Sequence, residues 1–269
     1  MLLLFQSQAG GRQPVAAAGL PPSAVHELTP FERFVDKLEL DDKKQLPDVV
    51  KIFSGSAAPG AAIGREMIQA RLRMVDLDGK PEAAPVLEAY TAAVAKMTSL
   101  DARAFQQVYA LLQKNQQSKA PDAFVLTAGL LDVSLPRTAG RRAGPNDPRP
   151  TRLELLTALF TLDGGQKKQV KSIMDAEFKA SSPARDQWNA SRLAIGAAIQ
   201  SGKAAAEIDA AVAKHAADAT TMAVAEARAL AKIVAALTPE QKANAAAIQS
   251  AVFHLRLAFT GKKWDVSPE

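Results

Sequence analysis

The chain has no cysteine among its 269 residues. That excludes disulfides, thiolate metal sites and a cysteine nucleophile, and leaves the cellular compartment open. Aromatic residues make up only 5%, with two Trp and two Tyr. With alanine abundant, this composition predicts thin, closely spaced helices. Histidine is scarce: His26, His215 and His254 are the only three, and none lies within four residues of another. A zinc or nickel site would need carboxylates gathered from far apart in the chain. No apolar run approaches the ~20 residues that span a bilayer. There is no H-E-x-x-H, no G-x-S-x-G and no Rossmann glycine set. "GAAIQSGKA" has one residue too many between Gly196 and Gly202 for a phosphate loop, and Ala204 stands where Ser or Thr is needed. Asp76 and Asp78 in "DLDGK" lack the rest of a calcium loop and read as turn residues. No cofactor, metal or catalytic residue is expected.

What is present suits a folded globular chain. Hydrophobic residues make up 48% and charged residues 23%, with a net charge of +5. The 28 acidic side chains are mixed among the 33 basic ones, which predicts a solvated mixed surface and not a nucleic-acid face. The densest basic stretch holds Arg137, Arg141, Arg142, Arg149 and Arg152 among Gly and Pro, with no aromatic to stack a base. It reads as a linker over 133–150. At the N-terminus, Leu2 to Phe5 resemble the end of a signal-peptide core, and Ser7 and Ala9 fit a small-x-small cleavage site. This predicts export, with 1–24 as a mobile leader and a cytoplasmic location as the alternative.

Helical periodicity dominates the remainder, and no strand alternation of useful length occurs. "LTPFERFVDKLEL" and "ALTPEQKAN" both open helices with Thr as cap and Pro in the first turn. In the second, Thr238 accepts from the Gln241 N–H, Pro239 costs no hydrogen bond, and Gln241 reaches back to the cap. Leu40-Asp41 and Leu162-Asp163 are 122 residues apart, and Gly79-Lys80 and Gly202-Lys203 are 123 apart. Pairing Leu100-Asp101 with Leu237-Thr238 gives 137, which predicts a long helix four turns longer in the second copy. The expectation is two helical repeats, 25–132 and 151–262, followed by a tail at 263–269.

The second half carries "LDGGQKKQV" near its start and "LTPEQKAN" near its end. These resemble the paired LTxxQ motifs of the Spy/CpxP family of periplasmic stress proteins. Leu237, Thr238 and Gln241 match fully; Leu162 and Gln166 match, with Asp163 in place of Thr. In the first half Lys44 stands where Gln belongs, and Ala104 follows Leu100-Asp101. The resemblance implies an all-α fold of two tandem helical-hairpin units, arranged as a curved Spy-like cradle or as a pseudo-dimer within one chain. It also implies an ATP-independent chaperone that binds unfolded or stress-exposed polypeptides. The alternatives are a stress or metal regulator acting through a sensor partner, and a purely structural helical protein. Motif residues in that family shape helix ends and are not catalytic. The candidate client-binding surface is the helix bearing Arg65, Met67, Arg71, Arg73 and Met74, where Met adapts its shape and Arg offers charge on an apolar stem. The same pattern also fits a helix with its Met in the core and its Arg in solvent.

Overall fold

The computed structural model describes residues 30–77, 79–131 and 150–266. The expected leader, all but the last residue of the linker, His26 and Asp78 lie outside the described residues. Among the described residues there are twelve α-helices, one 3-10 turn at Pro81–Ala83, and no strand. The fold is all-α.

The helices form two sets of six in the same order. The first set is α1 (Pro30–Leu38), α2 (Leu46–Gly55), α3 (Ala57–Asp76), α4 (Ala84–Leu111), α5 (Lys114–Gln117) and α6 (Ala120–Val125). The second is α7 (Arg152–Phe160), α8 (Gly164–Ala180), α9 (Ser182–Gln200), α10 (Ala205–Ala235), α11 (Pro239–Lys242) and α12 (Ala245–Leu255). Pro47 falls in the first turn of α2, so it starts a helix and does not kink one. Backbone strain repeats with the helices. Among the described residues, those with positive φ fall in three pairs: Glu39 and Thr161 after α1 and α7, Gly79 and Gly202 at the hairpin turns, and Gly129 and Leu257 beyond α6 and α12. A non-glycine residue in this region is uncommon, so its recurrence at matching places ties the two sets together.

One expected correspondence is wrong. Leu100 and Asp101 lie inside α4, and Asp101 is buried there. The partner of Leu237 is Leu112, which directly follows α4, 125 residues earlier. The long helices are then nearly equal, at 28 and 31 residues. A Leu-Asp pair inside a continuous helix imitates a leucine followed by a cap. The last helix is also not continuous, since it breaks after α11 and restarts at α12 with Asn244 as cap.

The long helices pair as hairpins, α3 with α4 and α9 with α10, and α4 packs along α10. The core is shared between the sets. One cluster joins Leu156, Phe160, Met174, Leu230 and Ile233 to Met74, Val75, Tyr90 and Val94 at the tip of the first hairpin. The other joins Phe34, Phe53, Phe105 and Phe124 to Ile195, Ile199, Ile208 and Val212 at the tip of the second. Each hairpin tip therefore completes the core of the opposite set. Gly196 permits one of these crossings, because a Cβ there would sit 2.7 Å from Pro121 Cα and 2.9 Å from Phe124 Cβ. Gly196→Ala should lose about 1–3 kcal/mol to overpacking, more than the ~1 kcal/mol of helix propensity that it gains. Chemical denaturation measures the difference, and an unchanged or raised midpoint would reject the close-approach argument.

The C-terminal segment is docked. Trp264 is buried, and its indole donates to Asp175 at 2.7 Å. Arg152, the first residue of α7, is also buried and donates to the carbonyls of His254, Trp264 and Val266.

Candidate functional site

The motif residues sit at the starts of the second and fifth helices of the second set. Asp163 caps α8, accepting from Gln166 N at 2.8 Å, and Gln166 returns a bond to Asp163 N. Thr238 caps α11 in the same way with Gln241, and Pro239 occupies its first turn. Leu162 and Leu237 are buried in the first core cluster, to which Phe160 and Ile233 also belong. The two glutamine side chains then face each other. Gln166 Nε2 donates to Gln241 Oε1 at 2.8 Å, and Gln241 Nε2 donates back at 3.0 Å and also to the Phe160 carbonyl. The motif thus clamps the junction of α7 and α8 to the start of α11. Thr238→Ala should cost about 0.5–2 kcal/mol; a melting curve identical to that of the parent would reject the cap.

The first set has the same clamp in altered spelling. Asp41 accepts from Lys43 N and Lys44 N, and Gln45, one residue later than the motif requires, returns the bond to Asp41 N. Gln116 bonds back to Gln113 N, so "LQKNQ" at 112–116 stands for the second motif. Gln45 Nε2 donates to Gln116 Oε1 at 2.9 Å and Gln116 Nε2 donates back at 3.0 Å, as in the Gln166–Gln241 pair. Sequence reading missed Gln45 because of the one-residue insertion, and Gln116 because Gln113 replaces Thr.

The candidate client-binding helix, α3, divides its residues. Arg65 and Arg73 are exposed, and Met67 is half-buried. Arg71 and Met74 are buried at 6% and 4% exposure, which removes them from an accessible surface. Met67, Arg71 and Met74 lie at i, i+4 and i+7, on one inward face. Arg71 is held there by Glu226 of α10 at 2.5 Å, with Tyr90 at 3.5 Å. Burial works against its charge, but Glu226 and Tyr90 more than offset this and keep it protonated.

This ion pair has a counterpart. Arg192 of α9 donates to Asp101 of α4 at 2.7 Å and to Thr127 at 2.7 Å. Arg71 and Arg192 hold matching places, as do Asp101 and Glu226, and both pairs cross from one set to the other. Glu226 also accepts from Phe259 N. His215 packs between Ser191, Trp188 and Arg192. Burial, then the Arg192 and Lys214 charges, push its pKa down to about 2. Between the sets these groups border a cavity of about 50 Å³, whose part-exposed lining includes Met67, Ala128, Ala219 and Leu257. His254 is half-buried beside Phe253.

Residues 152–249 match the model of the LTXXQ motif family of proteins. That match covers the second set up to α12 and includes both of its glutamines. No curated protein and no solved structure matches the chain. Among the described residues, no helix is long and apolar enough to cross a membrane.

Proposed function

We propose that the protein is a periplasmic, ATP-independent binder of unfolded or stress-exposed polypeptides, with chaperone-like and not enzymatic activity. The observation that carries this is the duplicated glutamine clamp around two crossed hairpins, one set of which matches the LTXXQ family. In this reading the two sets do within one chain what two subunits do in a Spy-like cradle.

Leu111 is the one large hydrophobic residue classed as exposed among the described residues. First contact with a client therefore rests on charge, with apolar stems and half-buried side chains adding to it. Arg65 and Arg73 on α3 supply such contacts. Charge-led capture is fast, reversible and weakened by salt. The purified protein should suppress the light scattering of a denaturing client without nucleotide. Arg65→Glu with Arg73→Glu should reduce suppression several-fold at low salt. No suppression at any protein:client ratio, from a protein that stays helical, would reject the reading and favour a regulator acting through a partner.

A further inference from the structure

The two sets match clamp for clamp and ion pair for ion pair, but they differ at their second helix. α2 has 10 residues and one lysine, Lys51, whereas α8 has 17 residues and carries Lys167, Lys168, Lys171 and Lys179. Val170, Met174 and Glu177 form the buried side of α8. Lys168, Lys171, Asp175 and Lys179 are exposed and fall at i, i+3, i+7 and i+11, on the opposite side. The docked C-terminal segment widens this stripe. The Trp264 indole donates to Asp175, and the Asp265 charge acts on Lys171. The exposed Lys262 and Lys263 therefore lie beside α8.

The carboxylates of this region are already engaged. Asp175 pairs with Lys171 and Glu177 with Lys232. Asp163 accepts from Gln166 N, and Asp265 accepts from Leu153 N. Lys168, Lys179, Lys262 and Lys263 form no ion pair among the described residues. Like charges gathered on one face repel one another and work against the compact state. Their gathering here, and not on the matching helix of the first set, points to an anionic partner outside the chain.

The chemistry of the face decides which anion. Lysine is a hydrated point charge on a flexible stem and suits a diffuse anionic layer, whereas a discrete phosphate is better held by the arginine fork. Gln169, Ser172, Ala176 and Ala180 complete the exposed side of α8. That side therefore has no aromatic to stack a base, and no aromatic or arginine anchor of the kind that dominates protein interfaces. Phe178 of α8 is half-buried, held between Phe259 and Arg185. About four to eight clustered basic residues suffice to hold a chain against anionic lipid headgroups.

We propose that the α8 face and the docked C-terminal segment adsorb, by charge and without insertion, onto an anionic phospholipid surface. This face is distinct from the exposed arginines of α3, so it stands or falls apart from client capture.

Cosedimentation of the full chain with vesicles tests it. Vesicles of equal parts phosphatidylglycerol and phosphatidylcholine should carry down about tenfold more protein than phosphatidylcholine alone at low salt, and release it at high salt. Lys168→Glu with Lys179→Glu and Lys263→Glu should lower the bound fraction about tenfold while keeping the helical circular dichroism of the parent. Lys43→Glu with Lys44→Glu and Lys51→Glu changes the net charge equally, at the matching place in the first set, and should leave binding within about twofold of the parent. The proposal is overturned if anionic vesicles do not bind the protein, if neutral vesicles bind it equally, or if the two variants lose binding alike. Displacement by inorganic phosphate at the concentration of the lipid would overturn it in favour of a discrete phosphate site. Binding to polyglutamate with none to vesicles would overturn it in favour of an acidic polypeptide.

Discussion

Arg192→Met should lower stability by about 3–5 kcal/mol, because it leaves Asp101 as an uncompensated charge in the interior. Asp101 and Arg192 are both about 98% buried, so water cannot replace the lost partner. Thr127 and His215 lose their donor in the same step. For a chain of this size the melting temperature should fall by roughly 6–20 °C. Replacing the pair together, Arg192→Met with Asp101→Leu, should recover most of the loss, since an apolar pair avoids the desolvation of two charges. A double-mutant cycle in denaturant separates the two effects. Loss of less than about 1 kcal/mol in the single variant would show that the pair does not hold the sets together. Because each hairpin tip completes the opposite core, Trp188 fluorescence and helical circular dichroism should report one transition in both the parent and the variants.

Acidification should destabilise the protein through His215. Its folded pKa is pushed down to about 2, against about 6.5 in an unfolded chain. Between those values the unfolded chain binds one more proton than the folded one. His215 therefore contributes its full stability above about pH 6.5, and that contribution is lost as pH falls towards about 2. The slope reaches about 1.4 kcal/mol per pH unit from this residue alone. His254, also lowered by burial and the nearby Arg152 and Arg256 charges, adds in the same direction. His215→Gln can still accept from Arg192 and cannot take up the proton, so its stability should fall less steeply from pH 6 to pH 4. Parallel curves for parent and variant would locate the acid response in other groups.

The helices were legible because their signals are local. Thr-Pro starts, Ala-rich stretches and apolar periodicity need no partner to be read, and the LTxxQ glutamines of the second set keep the motif spacing. The parallel helix order showed in the same way, at Leu40 and Leu162, which follow α1 and α7, and at the two Gly-Lys turns, where Gly79 and Gly202 both take positive φ. It was misread at Leu100, where a Leu-Asp pair inside α4 imitates a capped start. The actual counterpart, Leu112 with Gln116, carries Gln113 in the cap position and so lacks the Thr that marks the motif. The central ion pairs were not legible as pairs. Arg71 meets Glu226 across 155 residues and Arg192 meets Asp101 across 91; only the crossing of the hairpins brings them together. One sign was available. Arg71 shares its face with Met67 and Met74, and an arginine on an apolar stripe points to a buried partner more than to a solvent-facing client site.

The exchanged hairpin tips also set an order of events during synthesis. The ribosome finishes residue 131 long before it reaches Ile195, Ile199, Ile208 and Val212, which the first aromatic cluster needs. At about 5–20 residues per second the gap from 131 to 212 lasts roughly 4–16 s. Throughout that interval Phe34, Phe53, Phe105 and Phe124 have no completed enclosure. For those seconds the nascent first set is a partly folded chain with open apolar surface, until its own second hairpin arrives.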